Sequence, residues 1–216
     1  MGVNIGSLLK GSKIEFSDLS KKVVGVDAMN ALYQFVASIR QRDGTLLMDS
    51  SGEVTSHLQG LFTRSVNLMS KGLKLVYVFD GEAPKLKTLE REKRLGRKLV
   101  AKKKYDEAVS AEDVDLMYKY SRQNLKVTPY MVSESKELCR ALGLGVIEAP
   151  SEAEGQAAYM CGKKDLYCVA SQDADALLFG APRLVRNLTL ASTRKVSGRV
   201  VSIYPEMVVL SDVLSK

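Results

Sequence analysis

The sequence predicts an α/β fold: a mostly parallel central sheet, helices on both faces, and a helical insertion at about residues 85–127. Three observations carry this. Short apolar runs stop at polar residues, as in Val23-Val24-Gly25-Val26-Asp27, Leu75-Val76-Tyr77-Val78-Phe79-Asp80 and Leu166-Tyr167-Cys168-Val169-Ala170. Such continuous runs describe strands covered on both faces, as in a parallel sheet. Helix-patterned segments separate them, which gives the crossovers that parallel pairing requires. Finally, residues 85–127 are charged and helical in pattern, but Leu86, Leu89, Leu95 and Leu99 are too spread to form a core stripe, so the stretch is expected to stand off the domain.

In chain order, residues 1–22 open short and Gly-rich, and Lys21 and Lys22 lead into the first strand, ending at Asp27. Met29, Leu32, Tyr33, Val36 and Ile39 recur at helical spacing over Ala28–Ile39. Residues 40–54, with Gly44 and Gly52, read as a loop or hairpin. Thr55 is a plausible N-cap for a helix reaching about Gly72. The next strand ends at Asp80, and Gly81-Glu82-Ala83-Pro84 breaks the pattern. Two charged helical stretches follow, the second with a capping-type start at Ser110-Ala111-Glu112-Asp113. Thr128-Pro129 starts a helix that Gly143 stops. Then come a strand over Leu144–Ala149, a helix from Pro150-Ser151 to about Cys161, and the strand ending at Ala170. Asp175–Phe179 reads as a short helix or turn. Leu184–Leu188 and Val200–Tyr204 are strand-like, with the turn signal Ser197-Gly198 between them. No closing helix is expected before Lys216.

The 216 residues suffice for one α/β domain with an insertion. The net charge is +7, and Lys85–Lys104 alone carries +8, so the rest of the chain is close to neutral. A Lys-rich run is most often a solvated helix face. This one begins five residues after Asp80, and a basic stretch beside clustered acids suits a polyanionic substrate. No apolar run approaches the roughly 18 residues of a membrane helix, and no secretory leader is evident. Met1-Gly2 lacks the Ser or Thr that a myristoylation site needs, having Gly6 there. Cys139, Cys161 and Cys168 have no metal-type spacing and, as an odd and sparse set, point to a reducing compartment without disulfides. An intracellular setting, cytoplasmic or nuclear, is expected. His57, the single histidine, has no second histidine to pair with and is expected to be structural.

The acids carry the chemistry. Asp27 and Asp80 end apolar runs, Glu152 and Glu154 follow Pro150-Ser151, and Asp173 and Asp175 follow Ala170. Singly each has a bland explanation: Asp suits turns, Glu154 could complete a capping box with Ser151, and Glu152 suits a helix N-terminus. Jointly they converge, because open α/β sheets carry their sites outside the carboxyl ends of the strands. At i, i+2 spacing the helical side chains of Glu152 and Glu154 diverge by about 200°, so both serve one site only if it lies off the helix end. Six carboxylates cannot crowd together ionised without protons or cations. Oxygen ligands without His or Cys favour Mg²⁺, or Mn²⁺, over zinc. Mg²⁺ takes few direct carboxylates, so six acids suit two ions, a pair that stabilises the attacking and leaving oxygens of a phosphodiester displacement.

These residues resemble a known family. Met1-Gly2, Val26-Asp27-Ala28, Tyr33-Gln34-Phe35, Thr55-Ser56-His57-Leu58, Val76-Tyr77-Val78-Phe79-Asp80-Gly81, Ala149-Pro150-Ser151-Glu152-Ala153-Glu154 and Asp173-Ala174-Asp175 are similar to segments of the flap endonucleases, structure-specific 5′ nucleases of archaeal and eukaryotic type. The resemblance runs in order from residue 1 to about 210. It implies a PIN-like nuclease domain over 1–216 and a Mg²⁺-dependent phosphodiesterase that cuts 5′ flaps at the junction with duplex, with possible 5′ exonuclease activity, in replication and repair. It implies metal-site roles for Asp27, Asp80, Glu152, Glu154, Asp173 and Asp175, and a catalytic basic pair in Lys87 and Arg94. For DNA binding it implies Gly2, Tyr33, Arg40, Arg64, Lys87, Arg94 and Glu152, with Tyr33 stacking on a base and 85–127 forming the arch that passes the flap. The family also has a seventh metal-site Asp, a duplex-gripping helical module and a sliding-clamp tail, none of which this sequence contains. The alternative expectation is a DNA-binding fragment with little turnover.

Overall fold

In the computed structural model, residues 9–41, 43–82, 88–111, 113–121, 125–189, 193–196 and 199–215 are described. The chain forms two compact units, one of residues 1–31, 64–82 and 139–216, the other of 32–63 and 83–138. The strands are β1 (Ser12–Lys13), β2 (Val23–Asp27), β3 (Lys74–Phe79), β4 (Gly145–Glu148), β5 (Cys168–Ala170), β6 (Arg183–Arg186), β7 (Thr193–Val196), β8 (Arg199–Ser202) and β9 (Glu206–Val209). The helices are α1 (Ala28–Ser38), α2 (Ser56–Ser70), α3 (Thr88–Ser110), α4 (Val114–Ser121), α5 (Pro129–Ala141), α6 (Ala153–Gly162), α7 (Asp175–Leu178) and α8 (Leu210–Leu214).

The first unit holds a seven-stranded sheet in the order β1-β9-β6-β5-β2-β3-β4. The four pairings β5–β6, β2–β5, β2–β3 and β3–β4 are parallel, while β9 runs antiparallel to β6 and β1. The register aligns the carboxyl ends: Val26 faces Ala170 on one side, Asp27 faces Val78 on the other, and Phe79 faces Glu148. Side chains alternate across the sheet, so β3 sends Leu75, Tyr77 and Phe79 to one face and Val76 and Val78 to the other. On the first face the Tyr77 hydroxyl lies 3.0 Å from Ser65 Oγ of α2, which satisfies a fully buried phenol. On the second, Val78, Val169, Leu184 and Val208 pack with Ala153, Ala157, Ala158 and Cys161 of α6. Those small residues recur at helical spacing and let α6 lie close to the sheet.

The predicted mostly parallel sheet with helices on both faces is present. Several elements differ from the sequence reading. The helix expected from Pro150-Ser151 starts at Ala153, because the Ser151 carbonyl accepts a 2.6 Å bond from Gly81 N–H and cannot enter a helix. Asp113, not Ser110, caps α4: its Oδ1 accepts from Leu116 N–H at 2.9 Å, while Ser110 Oγ turns back to the Asp106 carbonyl at 3.0 Å. β1, β7, β9 and α8 were not anticipated. β1 is two residues long and exists only by pairing with Met207 and Glu206. α8 corrects the expectation that no helix closes the chain. The turn signal Ser197-Gly198 lies outside the described residues.

In the second unit, 40–54 is a double turn closed by the bridges Arg40–Leu46 and Met48–Val54. Gly44 and Gly52 sit in the left-handed region at φ 85° and 86°, as its sharp reversals require. His57 is fully buried, with Nε2 3.2 Å from Glu134 Oε2 but without hydrogen-bond alignment, and burial lowers its pKa. It is a packing residue, as expected. Cys139, Cys161 and Cys168 are buried free thiols. Among the described residues, no helix is long and apolar enough to cross a membrane.

Two glycines give opposite predictions. A Cβ on Gly81 would overlap the Ala149 carbonyl oxygen and come within 2.9–3.0 Å of the Pro150 carbonyl group. Backbone cannot give way as a side chain does, so Gly81→Ala should cost about 1–3 kcal/mol or more in denaturant unfolding. Gly96 lies within α3 with nothing near its Cβ position, and Gly96→Ala should stabilise by up to about 1 kcal/mol.

Candidate functional site

The site is built from the carboxyl edge of the sheet in the first unit. β2 delivers Asp27 as its last residue, only 3% exposed. Its two oxygens are held separately: Oδ1 accepts from Asn30 N–H at 2.9 Å, tying it to the first turn of α1, and Oδ2 accepts from Ser171 Oγ at 3.1 Å. Ser171 follows β5 directly, and its own N–H reaches the Val185 carbonyl of β6 at 3.2 Å. Asn30 Oδ1 in turn accepts from Gln172 N–H at 3.2 Å, so the ends of β2 and β5 are cross-linked around one carboxylate.

Asp80 follows β3. Its Oδ1 accepts from Ala153 N–H at 2.8 Å, so it caps the start of α6, a role that Glu152 at the N-cap position does not take with its side chain. A carboxylate there also meets the positive end of the helix dipole. Glu154 lies in the first turn of α6, and Asp175 in the first turn of α7. Asp173 sits between, with Oδ1 accepting from Ala174 N–H at 2.7 Å and its own N–H directed to Ser171 Oγ at 3.2 Å.

Glu154, Asp173 and Asp175 each present a carboxylate oxygen within 4.8 Å of the others, and all three are half-buried. Burial, then Glu154 and Asp80, push Asp27 from the usual carboxylate range up to about 8, against the two hydrogen bonds that favour its charge. Burial, then Asp80, Asp175 and Asp173, likewise raise Glu154. Five of the six predicted acids therefore share one field. Glu152 is half-buried at the N-cap of α6 and is not one of the close triad.

This donor set fits a hard divalent cation. It offers carboxylate oxygens only, and burial first, with neighbouring acids adding like charge, raises Asp27 and Glu154. A cation would reverse that penalty.

Of the other predicted residues, the side chains of Tyr33, Arg40 and Arg64 are described. Tyr33 presents its ring from α1, 38% exposed. The Arg40 guanidinium is used within the second unit, donating to the carbonyls of Val36 at 2.9 Å, Gly44 at 2.6 Å and Ser121 at 3.4 Å. Arg64 is half-buried on α2. Gly2 and Lys87 lie outside the described residues, and Arg94 falls within α3 with its side chain likewise undescribed. Asn30 and Ser171 were not singled out from sequence. A polar residue three positions after Asp27, and another directly after an apolar strand, were the available signals.

The raised Asp27 predicts a pH dependence. Between its ordinary value of 3.8 and about 8, the folded state holds a proton that the unfolded chain has lost. Stability from this group is thus full below pH 4 and falls as pH rises through 8. Melting in EDTA from pH 5 to 9 should show wild type losing stability relative to Asp27→Asn, and added Mg²⁺ should stabilise wild type most at the alkaline end.

Residues 3–101 match the XPG N-terminal domain and 143–216 the XPG I-region. The chain is 50% identical over 218 residues to flap endonuclease 1 of Pyrococcus abyssi, covering all of this chain and 64% of that protein. Among solved structures it is similar to flap endonuclease-1 from Methanococcus jannaschii, with 43% identity and a TM-score of 0.73, covering 99% of this chain and 65% of that one. The catalytic core of Rad2 in complex with DNA substrate shares the fold, with 23% identity and a TM-score of 0.63, covering 97% and 53% respectively. This chain thus spans about two-thirds or less of the length of these relatives, with both XPG regions and the acid-lined sheet edge in place, and it belongs to the flap endonuclease family.

Proposed function

We propose that this chain is the nuclease portion of a Mg²⁺-dependent, structure-specific DNA endonuclease that cuts 5′ flaps at their junction with duplex, with 5′ exonuclease activity as an accompanying outcome. The observation that carries the reading is the triad Glu154, Asp173 and Asp175, with oxygens within 4.8 Å of one another beside Asp27 and Asp80. Glu154, Asp173 and Asp175 would hold the cation, with Asp27, Asp80 and Glu152 completing the acidic lining. When bound, a divalent cation supplies charge neutralisation at the scissile phosphate and makes water nucleophilic near neutral pH.

The chain's own residues supply the rest. Asn30 and Ser171 fix the orientation of Asp27 before any ligand arrives, so that no side-chain ordering is left for the binding step. Asp80 is held by the α6 N-terminus in the same way. The basic stretch 85–104 supplies the field that gathers a polyanion. Lys87 and Arg94 take the contacts to the scissile phosphate in this reading, and the exposed Tyr33 ring offers a base-stacking surface. Arg64 and Gly2 contact DNA, and Arg40 would do so while bracing its own loop. A sliding clamp is a partner of the longer protein in this reading.

The second reading is DNA binding with little turnover, for which the basic stretch 85–104 would suffice. One experiment separates the two. With Mg²⁺, a 5′-labelled flap substrate should yield a product cut at the junction, and Asp175→Asn or Glu154→Gln should slow cleavage by about 10²-fold or more while salt-sensitive DNA binding persists. Binding without cleavage by wild type would favour the second reading. Cleavage undiminished in EDTA would sink the metal-dependent one.

A further inference from the structure

A second charged feature lies at the opposite edge of the same sheet. A cleft of about 370 Å³ is lined by Lys21, Lys22, Lys164 and Arg183, with Asp165 the one acid and Tyr167 at its side. Its walls are the start of β2, the loop from α6 into β5, and the start of β6. From there to Asp27 is four strand steps along β2, roughly 13 Å, so this is not the acidic site seen from another side.

The cations are arranged rather than scattered. Lys22 Nζ lies 5.0 Å and Arg183 Cζ 4.6 Å from the centre of the Tyr167 ring. Arg183 also donates from Nη1 to the Tyr167 carbonyl at 3.4 Å, which holds a half-buried guanidinium at the cleft. Lys21 and Lys164 both have left-handed backbone, at φ 63° and 71°. Lys164 follows the end of α6, and the next N–H, of Asp165, returns to the Met160 carbonyl at 3.0 Å; this is the capping position where glycine is cheapest. Among the described residues, no carboxylate pairs with any of these four cations. Four like charges at one cleft, not neutralised by a carboxylate, make a positive field that draws an anion.

We infer that this cleft is a second binding site, for a phosphate-bearing ligand. Four cations around a volume of this size suit a multiply charged group, and Arg with Lys is the donor set that phosphate oxygens take. With Lys22 and Arg183 both over its ring, Tyr167 is a platform for the cations. The ligand is either the backbone of a nucleic-acid strand or a free phosphorylated small molecule.

The test uses the whole chain in EDTA, so that the outcome does not depend on whether the acids hold metal. Inorganic phosphate is titrated while the Tyr167 ring and Arg183 side-chain signals are followed by NMR, and a short oligothymidine is then titrated in the same way. The variant is Lys21→Gly with Lys164→Gly, which removes two charges while relieving the backbone, so its melting temperature should hold or rise. Saturable shifts at Tyr167 and Arg183, weakened about tenfold in the variant, are the expected result. Shifts by oligothymidine that compete with phosphate identify a strand as the ligand, and shifts by phosphate alone identify a small molecule. No saturable shift, or an equal response in the variant, overturns the proposal.

Discussion

A carboxylate buried at the end of the central strand is the constraint on which the rest of the site depends. Asp27 stands between β5 and β3, where water cannot reach it and where Glu154 and Asp80 add like charge. A neutral hydrogen bond contributes about 1 kcal/mol and one to a charged group somewhat more, so the bonds from Asn30 and Ser171 offset only part of this. The fold tolerates the remainder because parallel pairing on both sides fixes β2, and Asp27 cannot swing out to solvent. Stability is given up at the one place where a cation would restore it, which is the pattern expected where selection is for chemistry rather than for folding.

The frame around these acids is largely backbone. Gly81 N–H to the Ser151 carbonyl joins the end of β3 to the approach of α6, and Ser171 N–H to the Val185 carbonyl joins the end of β5 to β6. Small residues on α6 keep that helix against the sheet. The consequence is a division of labour. Main-chain bonds set where the carboxylates start, and the side chains need only short reaches from there.

Much of this was legible in the sequence because the strands are covered on both faces. Continuous apolar runs such as Val23–Val26 and Leu75–Phe79 cannot be mistaken for surface strands, and acids at their ends mark the site edge in any parallel sheet. What escaped reading had non-local causes. β1 and β9 exist through antiparallel pairing with distant partners, and two or four residues carry no period. The start of α6 moved from Pro150 to Ala153 because Gly81 claims the Ser151 carbonyl and Asp80 supplies the cap from 73 positions away. Local capping rules see Ser151 and Glu154 and have no access to Asp80. Ser171 and Asn30 escaped for the same reason: each is an ordinary turn residue until the sheet brings β2 and β5 together.

The bond between Asp80 and Ala153 N–H gives that carboxylate two duties. It is part of the acidic lining, and it is also the N-cap of the helix that carries Glu154. Removing the side chain would take away a charge and let the first turn of α6 fray, so a lost activity could not be assigned to either cause. An amide at the same position keeps an oxygen facing Ala153 N–H while discarding the charge. For Asp80, the choice between alanine and asparagine decides whether an experiment reports on electrostatics or on the placement of its neighbour.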